Sequence, residues 1–111
     1  SGENIYPEEI DVYFDFLNDF SSGYCTAGYQ DQVTLFVSPK DYDNFQETAC
    51  FAQIRKVNAG LPMNKKVTKL YAFRDPLPRT GKGEVARFQM AQVLEERTDG
   101  VKEIKMKGRN V

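Results

Sequence analysis

The sequence predicts an α+β fold: a small three-stranded sheet with about three packed helices, in the order α-β-β-α-β-α. Three observations carry this. Ile10, Tyr13, Phe14, Leu17 and Phe20 recur at helical spacing and make one apolar face. Val33-Thr34-Leu35-Phe36-Val37 is a β-branched and aromatic run of the kind found in buried strands. Proline and glycine clusters then divide the remaining chain into short pieces of alternating character.

The first helix is expected over about residues 7–20. Pro7 suits its first position, and Glu8 and Glu9 complement the positive end of its dipole. Ser21-Ser22-Gly23 should stop it. Residues 24–29 read as a short strand, Gly28 to Gln32 as a turn, and 33–37 as the second strand of an antiparallel hairpin closed by Ser38-Pro39-Lys40. From about Asp43 to Asn58 the pattern is helical, with Cys50, Ile54, Val57 and Leu61 on one stripe and Ala59-Gly60 at the end. Val67 to Phe73 is the third strand. Two prolines in Asp75-Pro76-Leu77-Pro78 forbid regular structure there. Gly81-Lys82-Gly83 is a loop, and Glu84 to about Arg97 the third helix, with Ala86, Met90, Val93 and Leu94 as its apolar side. The segment 101–111, with four bases and one acid, reads as a basic tail after a domain spanning 1–100.

A chain of 111 residues with 41% apolar and 13% aromatic residues has enough material for one core. Histidine is absent, which excludes Ser-His and Cys-His nucleophiles and most zinc sites, so no metal site is expected. Cys25 and Cys50 are far apart and form no CxxC, as expected of buried, reduced thiols. No apolar run approaches the ~20 residues of a membrane span, and the polar, acidic start has no signal-peptide pattern. A cytoplasmic location is the resulting expectation. The formal net charge of −1 conceals an asymmetry: residues 1–50 hold ten acids and one base, residues 51–111 fourteen bases and six acids. Either the halves neutralise each other across one fold, or the second half offers a basic surface to a polyanion such as a phosphate. The acidity of the first half speaks against a duplex nucleic-acid partner. Gly81-Lys82 is no P-loop, because the spacing and the following Ser or Thr are missing.

Two stretches are more specific. Gly2-Glu3-Asn4-Ile5-Tyr6-Pro7-Glu8-Glu9-Ile10, followed at this separation by Pro78-Arg79-Thr80-Gly81-Lys82-Gly83-Glu84-Val85-Ala86-Arg87, resembles the C-terminal domain of the adenylate-forming (AMP-binding) enzymes. That superfamily includes acyl-CoA synthetases, luciferases and the adenylation domains of peptide synthetases. The resemblance covers roughly residues 2–95 and is closest to an acyl-CoA synthetase. It implies a lid domain that swings between two poses, one for each half-reaction. A carboxylate first attacks ATP to give an acyl-adenylate and pyrophosphate, and a thiol then displaces AMP. ATP with Mg²⁺ and coenzyme A would serve the full-length enzyme and none of them this domain alone. The implied partners are the larger N-terminal domain of the same enzyme and a carboxylic acid substrate.

Carried over residue by residue, Pro78, Arg79, Thr80, Gly83 and Arg87 match the family's second motif, while Glu84 holds the place of its catalytic lysine. A carboxylate there has the wrong sign for adenylyl chemistry. Lys82, between Gly81 and Gly83, is either a substitute for that lysine or a solvated loop lysine. Gly2 corresponds to the glycine that lets the backbone line the thiol tunnel, or is simply the second residue of the chain. Arg55, Lys56, Lys65, Lys66, Lys69 and Arg74 are candidates for the nucleotide end of coenzyme A by sign only. Two rival roles stay open. One is an adenylation domain loading a carrier-protein arm. The other is a ligase-like protein silenced at Glu84 and left with a binding role.

Overall fold

Four strands form one mixed sheet in the order β1-β2-β3-β4, in the computed structural model, which describes residues 5–97 and 99–106. They are β1 Ser21–Tyr29, β2 Gln32–Pro39, β3 Lys69–Phe73 and β4 Val101–Lys105. β1 and β2 are antiparallel, β2 and β3 parallel, β3 and β4 antiparallel. The helices are α1 Pro7–Asp11, α2 Leu17–Phe20, α3 Ala49–Ala59 and α4 Met90–Glu96. The parallel pair is joined through α3, the crossover that parallel neighbours require.

The α+β class agrees with the sequence, and the three-stranded sheet does not. The fourth strand comes from residues assigned to a basic tail. Val101 to Lys105 pairs with β3 from Phe73 back to Lys69, and Ile104 is buried opposite Leu70. The charges Lys102, Glu103 and Lys105 hid a strand in which Ile104 alone is buried and Val101 packs half-buried on the other face, and charged side chains are a normal feature of sheet edges.

Each strand divides its side chains between two faces. Val33, Leu35 and Val37 of β2, Leu70 and Ala72 of β3 and Ile104 of β4 face α1, α2, α3 and the 3₁₀ turn at Val12–Phe14, and Ile10, Phe14, Leu17, Cys50, Phe51 and Ile54 of these elements complete the larger core. Cys25, Phe36, Tyr71 and Phe73 face the other way, toward Met90 on α4, with Val93 and Leu94 half-buried beside it. The hairpin turn is two residues long. Gln30 and Asp31 both have positive φ, 54° and 62°, as a turn matching the strand twist demands.

The expected helix 7–20 is not one α-helix. It runs as α1, a 3₁₀ turn at Val12–Phe14, and α2. Ile10, Phe14 and Leu17 of the expected apolar face are buried, but Tyr13 and Phe20 are exposed, because the break into three short pieces turns them off that face. Local side-chain bonds compete with its ladder: Asn18 Nδ2 donates to Asp15 O and Ser21 Oγ to Leu17 O. The helix expected from Asp43 is a 3₁₀ turn at Phe45–Glu47 and then α3, whose first-turn Phe51 N–H donates to the Thr48 hydroxyl at 3.2 Å. At its other end, buried Asn58 donates to Val67 O at 2.9 Å and accepts from Val67 N at 2.7 Å, tying α3 to the entry of β3.

The third helix does not begin at Glu84. Thr80 N donates to Glu84 O at 2.7 Å and Ala86 N to Pro78 O at 2.8 Å, with Arg79 and Val85 bridged antiparallel. These bonds use the backbone through Ala86 for a small hairpin. Helical bonding starts only with the 3₁₀ turn Arg87–Gln89, before α4.

Candidate functional site

The hairpin 78–86 lies against β1, an edge strand whose outward backbone groups need partners. Its tip is a turn in which Gly83 N donates to Thr80 O at 2.9 Å. Thr80 Oγ1 accepts from the N–H groups of Lys82 and Glu84 at 3.2 and 3.3 Å. Gly83 has a φ of +87°, where a side chain would be strained. Gly81 has neither a positive φ nor a neighbour within 4 Å of a would-be Cβ, so the turn does not depend on it. Lys82 sits at the apex and Glu84 on the returning leg. Both are exposed, and among the described residues neither side chain has a hydrogen-bond or ion-pair partner.

Two arginines hold the hairpin to the edge. Arg79 Nη1 donates to Gly83 O at 2.6 Å, and its Nη2 to Ser22 O. A Cβ on Gly23 would stand 3.0 Å from Arg79 Nη2, so this close approach uses a glycine in β1. Arg87 Nη1 donates to Thr26 O, and Nη2 to Asp11 Oδ2 at 2.8 Å. Asp11 Oδ1 accepts from Thr26 N at 2.8 Å and from Thr26 Oγ1 at 2.7 Å. Both outward groups of Thr26 are thereby satisfied. Burial works against the charge on Arg87, yet the hydrogen bond and charge of Asp11 outweigh it and raise its pKa above the ordinary arginine value.

Glu8, Asp11, Tyr24 and Cys25 face Arg79, Glu84 and Arg87 across a cleft of about 500 Å³. Its two guanidinium groups are committed to the edge strand and Asp11, whereas Glu8 and Glu84 are exposed on its rim. A second, apolar cleft of about 460 Å³ lies between β1–β2 and α4, floored by Ala27, Tyr29 and Phe36, with Phe88 and Met90 at its side.

Of the residues singled out in the sequence, Arg79, Thr80, Gly81, Lys82, Gly83, Glu84 and Arg87 therefore share one small hairpin and its exit. Gly2 lies outside the described residues. The six candidate basic residues are not gathered into one site. Lys66 caps α3 through the carbonyls of Asn58 and Ala59, Lys69 faces Glu103 at 3.4 Å, Lys65 faces Glu9 at 3.9 Å, and Arg74 lies 4.7 Å from the Tyr42 ring centroid. Arg55 lies 6.0 Å from the ring centroid of Phe51, and Lys56 is exposed on α3. Asp11 and Thr26 are the residues sequence reasoning missed. Asp11 stands directly after the first motif, and an acid there opposite the arginine of the second motif was the only available signal.

Cys25 and Cys50 are free and buried. Among the described residues no His, Cys or carboxylate cluster is built to hold a metal ion, and no helix is long and apolar enough to cross a membrane. No protein-family model matches the chain, and no curated protein matches it significantly.

Proposed function

We propose that this chain is the C-terminal lid of an AMP-forming acid–thiol ligase, most like an acyl-CoA synthetase. In that role it completes the active site for carboxylate adenylation and thioester formation on a larger N-terminal domain. One observation supports the reading above the others: the hairpin 78–86 is held firmly from behind and presents Lys82 at its apex without a partner of its own. A cation set out in this way is suited to a charge that another domain brings. ATP with Mg²⁺, a carboxylic acid and coenzyme A, or a carrier-protein thiol, are the ligands of the assembled enzyme on this reading.

The cleft geometry favours a second reading, a ligase-like protein silenced at Glu84. Glu84 and Glu8 set exposed carboxylates on the rim, where the hydrogen bonds of the neighbouring arginines already go to the edge strand and Asp11 and Glu8 feels only the charge of Arg87, and such a rim repels phosphates.

Pyrophosphate release from ATP by the full-length protein, with fatty, aryl and amino acids offered in turn, separates the two. The lid reading expects release that Lys82→Ala abolishes. The silenced reading expects none until Glu84→Lys restores it, by roughly a hundredfold or more if a positioned cation recovers several kcal/mol of transition-state stabilisation. Release that neither substitution alters would overturn the placement of both residues at the chemistry.

A further inference from the structure

Arg79 and Arg87 bind two outward carbonyls of the same edge strand, those of Ser22 and Thr26. Four residues of strand separate these by about 13 Å. One attachment would let the hairpin swivel about its contact. Two, one behind each leg, fix its direction as well as its position. The second attachment differs from the first because Asp11 supports it. One carboxylate oxygen holds the Arg87 guanidinium while the other holds the N–H and hydroxyl of Thr26. The pair is largely withdrawn from water, with side chains 28% and 20% exposed, so solvent competes weakly for its bonds.

We infer that Asp11 and Arg87 are positioning residues that aim the Lys82–Glu84 tip, through a brace running from α1 across the edge of β1 to the exit of the hairpin. Neither needs to touch a ligand. Asp11 follows directly on the first motif and Arg87 ends the second, so the brace ties the neighbourhoods of the two stretches that stood out in the sequence. The aiming is a property of the fold. Its consequence for adenylation rests on the lid reading above.

The test separates these levels. Amide hydrogen exchange is measured on this chain at Thr80, Gly83 and Ala86, whose N–H groups bond within the hairpin, with Leu70 and Ala72 of the central strand as internal controls. Asp11→Asn should lower hairpin protection about tenfold to a hundredfold, as loss of hydrogen bonding to a charged group does, with the controls unchanged. Arg87→Lys keeps the charge but cannot serve both Asp11 and Thr26, and should fall between wild type and Asp11→Asn; it also stands as the test if Asp11→Asn does not fold. Unchanged hairpin protection, or an equal loss in β3, overturns the brace as an aiming device. In the full-length protein Asp11→Asn should then lower kcat for pyrophosphate release with the KM for ATP little altered. Changed exchange without any pyrophosphate release from wild type would leave the brace standing and count against the lid reading alone.

Discussion

On the α3 face of the sheet, Leu35, Val37, Leu70 and Ala72 are fully buried under Phe14, Leu17, Phe45 and Ile54. On the α4 face, Phe36 and Phe73 are equally buried, but the helix above them is seven residues long, Val93 and Leu94 are half-exposed, and a cleft remains open beside Phe88. The first face is closed by apolar packing. The second is closed partly by α4 and partly by a hairpin whose place is set by charged hydrogen bonds. Apolar packing supplies stability without much direction, whereas guanidinium–carbonyl and guanidinium–carboxylate bonds are directional. The hairpin with the candidate residues is held in this directional way, at the β1 edge between the two faces.

The contrast predicts unequal costs for similar deletions. Leu70→Ala on the α3 face should cost about 3–4 kcal/mol in urea unfolding, the range for a well-packed core leucine. Val93→Ala on the α4 face should cost about 1 kcal/mol or less. Equal costs would mean that α4 is as firmly packed as α3, and the contrast would fail.

Asn58→Ala comes next. Its amide makes two bonds to Val67 inside the larger core, and alanine would leave a buried N–H and C=O unpaired. A loss of about 2–3 kcal/mol follows from desolvation of those groups. A change below about 0.5 kcal/mol would show that water reaches Val67 and that this face is less closed than its packing implies.

Each face also holds one thiol, which makes alkaline pH a probe of both. Burial pushes Cys50, on the α3 face, up to about 11 and Cys25, on the α4 face, up to about 12. For Cys25 the nearby Arg87 pulls the other way and Asp11 adds to the rise. The folded state keeps protons that the unfolded chain releases above about pH 9. The contribution of the thiols should therefore be level below pH 9 and fall above it, by at most about 1.4 kcal/mol per pH unit for each, in addition to a fall from Tyr24 and Tyr71, whose hydroxyl pKa burial also raises. Cys50→Ala should flatten the fall up to about pH 11, and Cys25→Ala up to about pH 12. An identical slope in both variants and wild type would mean that neither thiol is shielded.

The sequence disclosed the larger face more fully than the smaller one. Ile10, Phe14, Leu17 and Ile54 announce themselves by helical spacing, and the run 33–37 by its composition, because each pattern is local. Strand β4 was concealed because its burial rests on one residue, Ile104, whose partner Leu70 lies 34 positions earlier. The late start of α4 was concealed for a related reason. Glu84 to Arg97 reads as helix locally, but the bonds from Thr80 and Ala86 claim its first residues for a hairpin. Residues 78–83 were legible as a loop from their two glycines and the proline before them. The bracing of Arg79 and Arg87 was not, since Ser22, Thr26 and Asp11 reach them only through the sheet edge, and no local periodicity records an edge.

Phe88→Ser should have the smallest effect. Phe88 is 78% exposed, on the 3₁₀ turn that leads into α4. An aromatic ring left in water contributes little to the folded state, so its loss should shift stability by no more than about 0.5 kcal/mol. If the ring instead folds down over Ala27 and Phe36 in solution and closes the apolar cleft, removing it would cost the roughly 1.5–3 kcal/mol of a buried large side chain. A urea midpoint that moves with an unchanged slope would report that closure. The α4 face would then be sealed by its own phenylalanine, and the two faces would differ in how they are covered, not in whether they are.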